Sequence, residues 1–344
     1  MLKDRLKTSA VLISIVAVLL HMDAHHSVPG AQGLWLLPLL LFFGLGTASD
    51  ISQLLAGSGR PIRRGPTLVA TAMVTLSAYL PSLWPLFGSA YPVNCPVGRL
   101  GWIVIAAIAG VFWILVSEMR RYGREPKESD ATSTPPTPPT PSGSVANSGT
   151  IERTSAGVFV SLYVGLPMAL LVALRTMNGS THGDNWGLAA LLTMIAVTKS
   201  TDAGAYFSGK AFGGKLLGKE KLIPRLSPGK TREGAVGGIV TATIVAFVCL
   251  AWLFPAISGP VPETAPPASI AALSVPIWGA LVLGPILAVS GMVGDLAESL
   301  VKRDSGAKDS GNWLPGLGGV WDVTDSLIAA VMPAFLCFAA GVGS

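Results

Sequence analysis

Two polar stretches interrupt an otherwise apolar chain, and their residue types suit phosphate chemistry. The first runs from Lys199 through Asp202, Tyr206 and Lys210, passes Lys221, and resumes at Ser227-Pro228-Gly229-Lys230-Thr231-Arg232-Glu233-Gly234. The second holds Asp295, Glu298, Lys302 and Arg303, then Lys308 and Asp309. It closes on Leu314-Pro315-Gly316-Leu317-Gly318-Gly319 and Asp322-Val323-Thr324-Asp325-Ser326. Glycine lets backbone N–H groups approach phosphate oxygens, and lysine supplies point charge. Asp295, Glu298 and Lys302 are spaced i, i+3, i+7, one face of a helix. Asp322 and Asp325 are also i, i+3. Carboxylates from two helices above phosphate-binding lysines suit Mg²⁺, which takes oxygen ligands, usually one or two carboxylates plus substrate phosphates.

Each piece also has a plainer reading. A lysine at an inner helix end commonly just sets topology. Asp325-Ser326 could cap the last helix, and Asp295, Glu298 and Lys302 could form a solvated surface pair. The number of separate elements favours phosphate chemistry over these. Competing motifs are weaker. Gly213 and Gly218-Lys219 have P-loop spacing but run into Glu220, and Gly229-Lys230-Thr231 lacks its leading glycine because position 224 is proline. His21, His25, His26 and His182 read as interfacial residues rather than a metal site.

The elements that must position these residues are membrane helices. Of 344 residues, half are apolar, 12% carry charge, and mean hydropathy is +0.57. A soluble globule of this size needs roughly 25% charged residues to coat it. Cys95, Cys249 and Cys337 are too far apart for a disulfide framework or a thiolate zinc site. The fold class expected is all-α and polytopic, with about nine transmembrane helices and the N-terminus inside. The candidate spans are Ser9–Leu20, Leu34–Gly46, Thr67–Leu86, Leu100–Val116, Ala156–Leu174, Trp186–Val197, Ala235–Phe254, Ala268–Val293 and Ser326–Val342. The first also resembles a signal peptide and is read as an uncleaved span. This arrangement puts 21 of 24 Lys/Arg inside, as the positive-inside rule requires. The net charge of +5 is therefore a topology signal, and nucleic acid is not an expected partner.

Three regions follow: front transmembrane helices over 1–118, a Pro-rich inside linker over 119–153, and a catalytic transmembrane region over 154–344. The linker contains Thr134–Pro141, TPPTPPTP, which favours extended conformations and packs no core.

The two polar stretches together resemble the phosphatidate cytidylyltransferase (CDP-diacylglycerol synthase) family. The run from Ser299 to Asp325 looks like its signature, and Asp202-Ala203-Gly204-Ala205-Tyr206-Phe207 with Ser227 to Gly234 is similar to its upstream motifs. The sequence departs from the family's usual pattern at Gly229, Arg232, Leu317 and Val323. The resemblance implies transfer of the cytidylyl group of CTP to phosphatidic acid at the cytoplasmic side of the cell membrane, giving CDP-diacylglycerol and pyrophosphate. It implies that Asp295 and Asp322 hold Mg²⁺ with Asp325 nearby, and a second cation is expected. Lys302, Arg303 and Lys308 would act on the triphosphate and the lipid phosphate. Asp202, Lys221, Ser227, Lys230, Thr231 and Asp309 are assigned to substrate binding. Partners are CTP, phosphatidic acid and the bilayer, with a homodimer allowed. Other classes are a CTP-dependent transferase or kinase acting on another lipid, an inactive relative, and a transporter. The last would place its charges at mid-membrane on broken helices, whereas most here sit at helix ends.

Overall fold

The computed structural model describes residues 2–344 except 28–30, 85–87, 90, 93, 123–148, 180, 217, 219–220, 261 and 263–264. Most of the Pro-rich linker, including Thr134–Pro141, and Lys219 lie outside the described residues. The elements are α1 (Leu2–His25), α2 (Leu37–Gly57), α3 (Arg64–Ser77), α4 (Leu80–Leu83), α5 (Gly98–Tyr122), α6 (Thr150–Arg175), α7 (Trp186–Phe212), β1 (Lys221–Ile223), β2 (Ser227–Thr231), α8 (Arg232–Val248), α9 (Phe254–Ser258), α10 (Ala271–Ser274), α11 (Pro276–Asp304) and α12 (Trp321–Ala340). A π-helical turn over Cys249–Leu253 joins α8 to α9.

Each expected apolar segment is helical over most of its described residues, which makes the chain an all-α polytopic membrane protein. Among the described residues, seven helices are long and apolar enough to cross a membrane: α1, α2, α5, α6, α8 with its continuation through α9, α11 and α12. Length and composition do not confirm the count of nine, for two local reasons. The segment Thr67–Leu86 divides at Ala78–Tyr79 into α3 and α4, with Pro81 in the first turn of α4. Proline suits a helix start but cannot continue one. The segment beginning at Trp186 runs on to Phe212 and takes in Lys199, Asp202 and Lys210, which dilute its apolar character.

Small residues bring the back-half helices together. A side chain at Gly204 on α7 would strike Thr241 of α8, and one at Gly294 on α11 would strike the Asp325 carbonyl of α12. Close approach of this kind is how membrane helices gain packing energy, since lipid offers no hydrophobic drive between them. In the structure α7 packs on α8, and α11 packs on both α8 and α12. In the front, α3 lies against α5 and α6, while α2 and α12 both meet α6. The one sheet among the described residues is the antiparallel hairpin β1–β2, with Lys221 opposite Thr231. It leads straight into α8, where the Thr231 hydroxyl caps the helix by accepting from the Gly234 N–H at 3.0 Å.

Candidate active site

The C-terminal ends of α7 and α11 and the N-terminal ends of α8 and α12 converge on both polar stretches. The i, i+3, i+7 face of α11 carries Asp295, Glu298 and Lys302 inward. Glu298 is only 2% exposed, and such a carboxylate needs a partner. The Lys302 ammonium supplies one, donating to Glu298 Oε2 at 2.7 Å and to Asp322 Oδ1 on α12 at 2.8 Å. One lysine thus ties the ends of two helices together.

Asp322 is held from its other side by the signature loop. Its Oδ2 accepts from the Ser310 N–H at 3.0 Å, the Ser310 hydroxyl at 2.8 Å and the Gly319 N–H at 2.6 Å. The loop can reach it because Leu314 and Gly318 exchange hydrogen bonds at 3.0 Å in a tight turn. Gly318 has φ +97°, and a Cβ there would press on Asp322 Oδ2, so only glycine fits.

Asp295, Glu298 and Asp325 form the acidic cluster: one carboxylate oxygen from each lies within 4.8 Å of the others. Asp295 is ion-paired with Lys230 of β2. Asp325 Oδ1 lies 4.0 Å from the Lys199 ammonium, which also donates to the Val323 carbonyl at 2.9 Å and the Ser326 hydroxyl at 2.8 Å. Glu298 Oε1 is buried and has no hydrogen-bond partner. Three converging carboxylates with an orphaned buried oxygen fit a hard divalent cation. Asp322, expected among the metal ligands, shares the Lys302 ammonium with Glu298. Its Oδ2 is taken by N–H and hydroxyl donors, and Glu298 stands in the cluster with Asp295 and Asp325.

Beside the cluster lies a cavity of about 480 Å³ lined by Asp202, Tyr206, Lys210, Lys221, Lys230 and Asp295, with Thr231 on its wall. Lys210 sits 5.9 Å from the Tyr206 ring centroid. Ser227 begins β2. Arg303, Lys308 and Asp309 are exposed, and among the described residues none is ion-paired to the cluster.

Two residues that carry the site gave little sequence signal. Asp50, fully buried on α2, accepts from the Trp321 N–H at 3.1 Å and holds the start of α12. A carboxylate inside an apolar helix was its only mark. Glu233 bridges the other way: its Oε1 accepts from the Gly214 N–H at 2.9 Å and the Leu216 N–H at 3.3 Å, fixing the turn after α7.

A family model described as the cytidylyltransferase family matches residues 3–340. The chain belongs to that family. It is similar to the phosphatidate cytidylyltransferase of Haemophilus influenzae, 40% identical over 173 residues, which cover 50% of this chain and 53% of that protein. The Brucella suis enzyme of the same name is 38% identical over 183 residues, covering 53% and 55%. That of Bacillus subtilis is 37% identical over 194 residues, covering 56% and 61%. The chain thus matches over about half the length of these curated relatives. In family terms the match extends to the front half, where α2 contributes Asp50 to the start of α12.

Proposed function

We propose that this protein transfers the cytidylyl group of CTP to phosphatidic acid at the cytoplasmic face of the membrane. A lipid phosphate oxygen attacks the α-phosphorus of CTP. The new P–O bond forms as the bond to the β-phosphate bridging oxygen breaks, and pyrophosphate leaves with that electron pair. The nucleophile is already an anion, so no strong general base is required. The barrier lies in bringing two polyanions together, so positioning and charge neutralisation dominate.

The residues divide that work. Asp295, Glu298 and Asp325 would hold Mg²⁺, whose contribution is to neutralise charge developing on the phosphates. A second cation is part of the proposal, since paired metals suit in-line displacement. Lys230 faces the cavity from β2 and can exchange Asp295 for a phosphate oxygen. Lys210 and Lys221 line the same cavity and would take the outer phosphates of CTP. Lys302 orients Glu298, and Asp322 fixes Lys302 against the glycine loop. Arg303 and Lys308, exposed at the interface, would attract anionic headgroups.

The observation that carries this reading is the set of converging carboxylates, one with an orphaned oxygen, beside a lysine-lined cavity at the inner helix ends. The test is purified protein in mixed micelles with phosphatidic acid, Mg²⁺ and each of the four nucleoside triphosphates. Liponucleotide and pyrophosphate should appear in equal amounts with CTP. Phosphorylation of a lipid without pyrophosphate release would turn the reading to a kinase.

A further inference from the structure

Helix α1 is an unusual span. Only 6% of its apolar window is buried, against half for α2. It is fastened at its two ends. At the outer end Arg175 Nε donates to Asp23 Oδ2 at 2.6 Å, and at the inner end the Thr8 hydroxyl donates to the Pro315 carbonyl of the signature loop at 2.8 Å. Between these fastenings α1 stands off the bundle. Behind it lies an enclosed cavity of about 230 Å³, walled by Leu20, Leu39, Phe43, Met168, Leu192 and Leu327. Along its other flank runs a more open apolar groove of about 530 Å³, which shares Leu39 and reaches Lys7 and Leu314 at the inner end.

The enclosed cavity is long and points at the acidic site. It follows α7 from Leu191 to Lys199, eight residues or roughly 12 Å along the helix axis. At its inner end stand Val323, Thr324 and Lys199. The Lys199 ammonium is the one that lies 4.0 Å from Asp325. An apolar void of this kind does not hold water, and at this depth in a membrane the molecule at hand to fill it is a hydrocarbon chain. A chain seated here would carry its headgroup to the Lys199 and Asp325 end, beside the carboxylate cluster.

We propose that the cavity behind α1 seats one acyl chain of the phospholipid substrate, and that α1 is a strap past which the chain enters from the open groove. The proposal rests on the lipid-phosphate reading above and adds where the lipid body is held. It predicts that selectivity for chain length resides in α1, α2 and α7, away from the phosphate-handling residues.

The experiment has two arms. In the first, a phosphatidic acid bearing a diazirine midway along one acyl chain is photo-crosslinked to the full-length protein in micelles, and adducts are mapped by mass spectrometry. Adducts at Leu20, Leu39 or Leu192 that unlabelled phosphatidic acid competes away support the seat. Adducts confined to lipid-facing positions such as Met332 overturn it, as does a co-purified lipid that occupies the cavity and stays through turnover. In the second arm, Leu192→Trp fills the cavity and Phe43→Ala enlarges it. With Leu192→Trp, KM for a long-chain phosphatidic acid should rise about tenfold, the value of roughly two buried methylenes. The dihexanoyl substrate should be handled as by wild type. With Phe43→Ala, the protein should accept a chain tipped with a bulky ring that wild type rejects. Equal effects on short and long chains, or none on either, overturn the proposal. If competed adducts form in the cavity while wild type makes no liponucleotide from any substrate, the transferase reading fails and the seat stands.

Discussion

The two ends of the bundle each bury charge, and they do it differently. At the Asp23–Arg175 end one acid meets one base. Asp23 and Arg175 are 0% and 2% exposed, and Arg175 Nη1 also donates to the Asp184 carbonyl at 2.9 Å. Gln32 covers the Asp184 carboxylate from outside at 2.8 Å. At the other end, around Asp295 and Asp325, three lysines answer to four carboxylates, and Asp202 stands on the same cavity without an ion pair among the described residues. A charge-balanced pair holds helices together, even with Asp23 Oδ1 and Arg175 Nη2 left without hydrogen-bond partners. An acid-rich cluster open to a cavity has capacity left for a cation and a polyanion.

The largest expected effect is at the Asp23–Arg175 end. Arg175→Met strands Asp23 without its partner, and breaking a buried pair from one side costs about 3–5 kcal/mol. Thermal unfolding in detergent should show that loss, while turnover per folded molecule stays near wild type. Adding Asp23→Leu should recover most of the stability, since an apolar replacement of both partners is often neutral. A variant that stays stable but loses turnover would join the Asp23–Arg175 pair to the chemistry and erase the contrast.

Next in size is Lys302→Met. It leaves Glu298 and Asp322 facing each other without the shared ammonium, and turnover should fall about a hundredfold. The comparison sharpens if stability falls less than for Arg175→Met, because the signature-loop N–H groups still hold Asp322. The smallest effect belongs to the linker. Deleting Thr134–Pro141 should leave folding and turnover nearly unchanged, since such a segment packs no core. A large drop in detergent-stable protein would show that the linker docks on the bundle. In sealed vesicles, a cysteine at position 309 should be labelled only from the cytoplasmic side and one at position 183 only from the other.

How much of this was legible in the sequence differs between helices and site. Apolar run length found every spanning segment, but not their ends, because α7 hides its inner turns behind Lys199 and Asp202. The hairpin β1–β2 escaped an all-α expectation: its five-residue strand Ser227–Thr231 contains a proline and a glycine and has no alternating apolar pattern. At the site, i, i+3, i+7 spacing correctly put Asp295, Glu298 and Lys302 on one face. It could not show that Lys302 would reach across to Asp322, or that Ser310 and Gly319 would fill the other side of that carboxylate. That depends on how the 305–320 loop folds back, and the loop's turn is made by Leu314 and Gly318 in three dimensions. Asp50 lies about 270 positions from Trp321, whose N–H it accepts, a separation no local pattern spans.

The central claim is that Asp295, Glu298 and Asp325 share a divalent cation with the CTP phosphates. Glu298→Gln tests it most directly, because it keeps size and hydrogen-bonding shape, removes the charge, and touches the residue that carries the orphaned oxygen. Turnover should be titrated against Mg²⁺ for wild type and variant, with folding checked by thermal unfolding. The account predicts a loss of about a hundredfold at low Mg²⁺, worth roughly 3 kcal/mol, and partial recovery as Mg²⁺ is raised. A well-folded Glu298→Gln protein with wild-type turnover and an unchanged Mg²⁺ dependence would contradict it.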